Sequence, residues 1–249
     1  LKPEKNSLFV KSQIGKELSS NYYSNINDFK KTKKIIEKCK PEIIFHLAAQ
    51  PLVLESFHNP VKTFNTNIIG TLNLLESIRK INSIKSVVII TTDKVYEISK
   101  KNKSYKETDR LGGLDPYSTS KAGAELIVNS YVNSFFYGTH LKNKVSTVRA
   151  GNVIGGGDFS KNRLIPDIIK SLNNKTVLKV RNPNHIRPWQ HVIEPLIGYL
   201  ALAEKQYNGS INKYSFSWNF GPDSKSFKKV INVIKLIQNS TIFIPVHCL

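Results

Sequence analysis

Short apolar runs alternate with longer stretches of helical spacing along most of this 249-residue chain. Residues 43–48 read as a buried strand, and residues 60–80 carry Phe64, Ile68, Leu72 and Leu75 at the spacing of one helical face. A strand over 87–91 follows, then a helix opening at Pro116, a strand over 145–148, a helix over 164–172 and a short strand over 177–180. An amphipathic helix over 192–205, a strand over 218–220 and a helix over 227–238 complete the pattern. Parallel neighbours need a long return connection, so this alternation predicts an α/β fold built on a parallel sheet with crossover helices. The hydrophobic content of 40% is that of a soluble globular domain, with one main domain and a smaller lobe expected at this length. Residues 241–249 continue no pattern and are expected to be an irregular tail.

Charge excludes less than it first suggests. The formal net charge is +19, yet the lysines are scattered from Lys2 to Lys235, with no aromatic-interleaved basic stripe of the kind that grips nucleic acid. No nucleic-acid partner is expected. No apolar run is long enough to cross a bilayer and no secretory signal opens the chain, so a cytoplasmic protein without membrane contact is expected. The two cysteines, Cys39 and Cys248, suggest neither a disulfide framework nor a metal site.

Tyr117 and Lys121 stand one helical turn apart shortly after the strand that leads into Thr91-Thr92-Asp93-Lys94. Residues at i and i+4 share a helix face, so the ammonium can favour the ionised phenol, and a phenolate can take a proton from an alcohol. Thr92 would orient the same substrate oxygen. A second match, Tyr96 to Lys100, runs into a polar, turn-like stretch without a helical repeat and is rejected. The chosen pair has Asp115 as a helix cap and Pro116 at the first helical position, followed by the apolar positions Ala122, Leu126 and 132–136. A plain surface pair is the alternative.

A dinucleotide-binding sheet opens with a strand, a glycine-rich turn and a helix whose N-terminus holds the pyrophosphate. Residues 1–40 contain Gly15 alone, and Gly155, Gly156 and Gly157 come too late to serve. Together with the absence of methionine, this predicts a Rossmann-like parallel sheet lacking its first βα unit. The expected division is an incomplete NAD-binding domain over 1–160 and a mainly substrate-binding lobe over 161–240 with one element returning to the sheet. Weak NAD affinity is expected of such a piece.

His46 to Pro51, Asn67 to Thr71, Thr92-Asp93-Lys94, the Tyr117/Lys121 pair and Arg149 to Asp158 together resemble the extended short-chain dehydrogenase/reductases. Arg163 to Asp167, Arg181 to Pro183, Arg187 to Val192 and Trp218 to Pro222 are similar to substrate-side motifs of the CDP-glucose 4,6-dehydratase group within them. The resemblance implies NAD as cofactor, CDP-glucose as substrate and a homodimer paired through the tyrosine-bearing helix. It implies oxidation at C4, loss of water across C5 and C6, and return of hydride to C6.

Carried over by motif, Tyr117 is the base at O4, Lys121 supports it and holds the nicotinamide ribose, Thr92 positions the sugar, and Asp93 protonates the departing hydroxyl. A turn cap is the alternative for Asp93. Lys94 stands where related dehydratases have glutamate, which leaves the C5 base open. Cofactor contacts fall to Asn25, Ala48, Ala49, Gln50 and Asn67, with tight packing the alternative for the alanines and Asn25 replacing the family's usual aspartate. Asn152, Arg163, Leu164, Arg181, Arg187 and His191 fall on the substrate side, the arginines because a guanidinium binds phosphate through paired hydrogen bonds. Solvation or capping is the alternative for Arg181 and His191. His46 reads as a core histidine rather than a catalyst. An epimerase of the same scaffold and an inactive fragment are the competing readings.

Overall fold

The computed structural model describes residues 2–98, 104–210, 216–240 and 245–248. Among them run the strands β1 (Ile43–His46), β2 (Ser86–Ile90), β3 (Val145–Ala150), β4 (Asn152–Ile154), β5 (Leu178–Val180), β6 (Ile186–His191), β7 (Ser217–Phe220), β8 (Phe227–Lys229) and β9 (Val246–Cys248). The helices are α1 (Leu8–Lys11), α2 (Phe29–Cys39), α3 (Val53–His58), α4 (Pro60–Phe64), α5 (Gly70–Ile78), α6 (Pro116–Tyr131), α7 (Leu164–Asn174), α8 (Ile193–Tyr207) and α9 (Val230–Ser240). The chain divides into two compact units, one of 22–150 with 195–220, the other of 2–21, 151–194 and 221–249.

The first unit is a parallel sheet in the order β1-β2-β3-β7. Successive strand residues face opposite sides, and both sides are covered, which is why β2 and β3 read as nearly unbroken apolar runs. On one face Val87, Ile89 and Val145 pack with Ile36 of α2, Leu74, Leu75 and Ile78 of α5, and Val128 of α6. On the other, Val88, Val148 and Ala150 meet Tyr199, Leu202 and Ala203 of α8. The 60–80 segment departs from one uniform helix. Between α4 and α5, residues Asn65–Ile69 form a π turn that leaves Asn67 2% exposed.

α6 begins as its sequence predicts. Pro116 occupies the first turn, Asp115 Oδ1 accepts from the Ser118 amide at 2.9 Å, and Ser118 Oγ reaches back to the Asp115 amide at 3.2 Å. Gly113 lies against this turn, where a Cβ would collide with the backbone of Ser118 and Thr119. Close approach therefore requires glycine at that position.

The second unit corrects several expectations. β4 pairs parallel with β6, and β6 antiparallel with β8. The strand expected over 177–180 joins no main sheet but pairs parallel with β9. Part of the expected irregular tail is thus a strand, because Val246 packs against Ile168, Leu178, Val180 and Ile234; residues 241–244 and 249 lie outside the described residues. The helix expected over 227–238 begins at Val230, since 227–229 is drawn into β8 by its pairing with β6. The expected boundary near residue 160 falls at 150/151, and residues 2–21 belong with the second unit, where Leu8 approaches Gly157 and Lys11 lies 5.2 Å from the Phe159 ring.

Leu75 is fully buried in the first core. Leu75→Ala should lower unfolding free energy by roughly 2–5 kcal/mol in urea denaturation, and a loss below about 1 kcal/mol would place the core elsewhere.

Candidate active site

Parallel strands bring the ends of β1 and β2 to one edge of the first unit, the edge where α/β sheets hold ligands. β2 delivers Thr91, Thr92, Asp93 and Lys94. Thr92 is 6% exposed and caps the short turn Asp93–Val95, its Oγ1 lying 3.4 Å from the Lys94 amide while donating to Asp93 Oδ1 at 3.1 Å. Thr92 therefore takes the capping position that was the alternative role for Asp93.

α6 supplies the other side. Tyr117 is 8% exposed in its first turn, with the Lys94 ammonium 5.9 Å from the ring centroid. Lys121 is 6% exposed and donates to the Ile90 carbonyl at 2.9 Å. Burial pushes its pKa down to about 8, while the Glu125 carboxylate works in the opposite direction. The ammonium is thus held against the end of β2, two residues before Thr92, and remains mostly protonated at neutral pH.

The loop after β1 closes the arrangement. Asn67 Oδ1 accepts from the Gln50 amide at 2.8 Å, and Asn67 Nδ2 donates to the Gln50 carbonyl at 3.1 Å and to Ser120 Oγ at 2.8 Å. Asn67 so ties the end of β1 to the residue next to Lys121. Gln50 spends its side chain within the protein, donating to Thr63 Oγ1 and the Leu52 carbonyl and accepting from the Leu52 amide. Ala48 is exposed and Ala49 half-buried in the same loop, small side chains that leave the strand end open to approach. Asn25 lies in the turn before α2, where its Oδ1 accepts from the Asn27 amide at 3.1 Å.

His46 is buried and neutral. Thr71 Oγ1 donates to the Asn67 carbonyl at 2.7 Å, so it accepts from His46 Nε2 at 3.1 Å. Burial and the nearby Lys121 charge push the imidazole pKa down to about 4. Tyr96 of the rejected second match donates its hydroxyl proton to Asn219 Oδ1 at 2.6 Å and accepts from Arg149 Nη1 at 2.8 Å. Lys100 lies outside the described residues.

The substrate-side candidates all belong to the second unit. Arg163 precedes α7 and donates to Asp158 Oδ2 at 3.2 Å, and Leu164 packs into the core beside Ile168. Arg181 reaches the Asn162 carbonyl at 3.4 Å and lines an open cleft of about 390 Å³ with Asp167, Lys170 and Lys179. Arg187 and His191 lie on β6, and Asn152 on its neighbour β4 is in register with Trp189. Arg187 Nη2 is 3.2 Å from His185 Nδ1, and His191 Nδ1 accepts from the Ile193 amide at 3.3 Å.

Sequence reasoning missed the buried pair behind Lys121. Glu125 and Arg149 are joined by Nε to Oε1 at 2.9 Å and Nη2 to Oε2 at 2.8 Å. A charged residue four after Lys121, on a helix face otherwise carried by Ala122, Ala124 and Val128, was the available signal. Among the described residues no cluster of three or more His, Cys, Asp or Glu is placed to hold a metal, and no helix is long and apolar enough to cross a membrane.

Comparison with known proteins matches this geometry. The model of the GDP-mannose 4,6 dehydratase family covers residues 7–217. The CDP-glucose 4,6-dehydratase of Salmonella typhimurium is 46% identical over 217 residues, 86% of this chain and 60% of that protein. The dTDP-D-glucose 4,6-dehydratase of Dictyostelium discoideum is 31% identical over 88% of this chain and 51% of its own length. A crystal structure of dTDP-glucose 4,6-dehydratase from Bacillus anthracis in complex with NAD superposes with a TM-score of 0.77 at 22% identity, covering 97% of this chain and 71% of that one. The chain spans 51–60% of the length of these two curated relatives. A parallel α/β sheet, a tyrosine and lysine on one helix face beside Thr92 and Asp93, and a family match over most of its residues place this chain in the GDP-mannose 4,6 dehydratase family of nucleotide-sugar enzymes.

Proposed function

We propose that this chain carries the catalytic core of a CDP-glucose 4,6-dehydratase, a hydro-lyase that converts CDP-D-glucose to CDP-4-dehydro-6-deoxy-D-glucose with NAD as resident cofactor. The observation that carries the reading is Lys121, one turn from Tyr117 and anchored on the Ile90 carbonyl, two residues before Thr92 and three before Asp93. The choice of CDP-glucose rests on the similarity to the Salmonella enzyme.

The residues present fit the nicotinamide end of NAD. An ammonium has three donors, and one is shown bonded to Ile90, which leaves donors for the hydroxyls of a ribose. Ala48 and Ala49 supply the small side chains that close approach needs. The glycine run of the described residues, Gly155 to Gly157, follows β4 in the second unit, and no such turn, which would cradle the pyrophosphate, joins a described strand of the main sheet to its following helix. NAD, when bound, supplies a reversible hydride acceptor.

This chain's residues handle protons and position. Tyr117 takes the proton from O4, and the Lys121 charge stabilises the phenolate that makes this possible. Thr92 holds the same oxygen. Asp93 delivers a proton to the departing C6 hydroxyl, a base takes the C5 proton, and Lys94 stabilises the enolate charge so formed. An epimerase has no use for an acid aimed at C6, so Asp93 favours dehydration. The second unit serves as substrate lobe, with Arg163 and Arg187 for the diphosphate, Asn152 assisting, and Arg181 and His191 toward the nucleotide. α6, with Leu126 57% exposed, serves as the pairing face of a homodimer.

In the full-length protein that contains this chain, incubation with CDP-glucose and NAD should yield a 4-keto sugar seen by its ultraviolet absorbance in alkali, and Tyr117→Phe should cut the rate by about 10²–10⁴-fold with circular dichroism unchanged. Full activity in that variant would remove Tyr117 from the chemistry. The Lys121 ammonium loses its proton as pH rises through about 8, so kcat should fall along an alkaline limb near that value. A profile flat from about pH 7 to about 9 would show that the Lys121 charge is not needed.

A further inference from the structure

The polar cluster beneath α6 is more elaborate than helix packing requires. Glu125 is 0% exposed and Arg149 3%. Besides the two bonds from Arg149, Glu125 Oε1 accepts from Thr91 Oγ1 at 2.5 Å, and Oε2 accepts from Thr147 Oγ1 at 2.6 Å and Ser217 Oγ at 3.2 Å. Arg149 Nη1 also donates to Tyr96 Oη at 2.8 Å and to the Glu107 carbonyl at 3.2 Å. Nothing in the chemistry above uses these groups.

Their position gives them a use. Residue 125 follows Lys121 by four and shares its helix face. Lys121 donates to the carbonyl of Ile90, while Thr91, the next residue, donates to Glu125. Lysine and glutamate thus grip consecutive residues of the strand end that leads to Thr92 and Asp93.

We propose that Glu125, clamped by Arg149, is a positioning residue for the Tyr117/Lys121 pair: it fixes the end of β2 through Thr91 and supplies the counter-charge that keeps the Lys121 ammonium protonated in a dry site. This rests on the reading of Tyr117 and Lys121 as the reacting pair. Burial is the larger influence on Lys121 and drives it toward neutrality, and Glu125 opposes that drift. The other charged or titratable groups on elements packed against α6 do not replace it. His46 of β1 is neutral, Arg149 of β3 is spent on Glu125, and Lys94 after β2 carries the same sign as Lys121. Glu55 of α3 pairs with Lys62 of α4, and Glu76 of α5 pairs with Arg79 and Tyr131. Asp93, beside Thr92, is assigned to the substrate side of the pair.

The test is a pH titration of the full chain carrying ¹³C at lysine Cε, with the Lys121 signal assigned by Lys121→Arg. Glu125→Gln should lower the Lys121 midpoint by about 1 unit, and Glu125→Asp, which keeps the charge, should hold it near wild type. An unchanged or raised midpoint in Glu125→Gln overturns the proposal. If that variant does not fold, Glu125→Gln with Arg149→Met removes the pair together, and a fall, smaller because a cation is lost too, supports the proposal where no change overturns it. The wild-type chain gives a reading needing no variant: a midpoint near 8 supports the proposal, and a Lys121 already neutral at about pH 7 overturns it. Turnover plays no part in this titration, so loss of the Tyr117 assignment and loss of the Glu125 assignment are separately visible.

Discussion

The docking of α6 onto the sheet depends on one carboxylate taken out of water. Transferring an ion of this size into a protein interior costs several kcal/mol even after relaxation, and a partner removed from such a pair costs about 3–5 kcal/mol. Glu125 meets that cost with five hydrogen bonds drawn from Thr91, Thr147, Ser217 and the Nε and Nη2 groups along one edge of the Arg149 guanidinium. The donors come from three neighbouring chain segments, the end of β2, β3 and β7, so satisfying the charge also sets the height at which α6 crosses them. β3 shows how the strand pays for this: Val145, Thr147 and Arg149 face α6, while Ser146, Val148 and Ala150 face α8, and only the first set is interrupted by charge. Ser146 finds its own partner on that second face by accepting from Gln206 Nε2 at 2.7 Å.

A second polar anchor acts at the other flank of the helix. In a regular helix every turn adds about 3.6 residues, and the π turn at Asn65–Ile69 adds one more, which re-aims the side chains that follow. Asn67 thereby faces inward, where its side chain bonds Gln50 and Ser120. Ser120 passes the constraint along its own turn by donating to the Tyr117 carbonyl at 2.7 Å. Tyr117 and Lys121 are consequently held from two directions, by Asn67 through Ser120 and by the strand end through Ile90. Under the function proposed above this is the support the pair needs, since small displacements of a catalytic side chain cost large factors in rate.

What could be read from the chain before folding divides along physical lines. The strands of the main sheet are legible because β2 and β3 are covered on both faces and must be apolar at nearly every position. Tyr117 and Lys121 are legible because i, i+4 spacing and the Asp115 cap are local facts. The pairing of β5 with β9 is not, because each is three residues long and gains its stability from a partner far along the chain. Residues 2–21 carry no local sign that they belong beside Gly157 rather than with the sheet. Arg149 follows the expected strand and opens one of the motifs that carry the resemblance, and only its partners on α6 and at Tyr96 reveal it as an interior cation. Asn25 matches a cofactor position by its place in the order of motifs, while the bond its side-chain oxygen accepts from its own turn is a local fact.

The charge state of the site follows from which buried base yields first. His46 and Lys121 feel one another, both are desolvated, and two adjacent cations in a dry region would repel. The imidazole starts from the lower intrinsic pKa, so it gives up its proton at about 4, and the ammonium, backed by Glu125, keeps its own until about 8. Between those limits the region holds a neutral histidine that donates to Thr71 and a lysine charge held on the Ile90 carbonyl. Environments that push two titratable groups apart in this way assign their roles without any change of residue type. His46 becomes packing and hydrogen bonding, and Lys121 is left as the charged member of the two, as the proposed chemistry at Tyr117 requires.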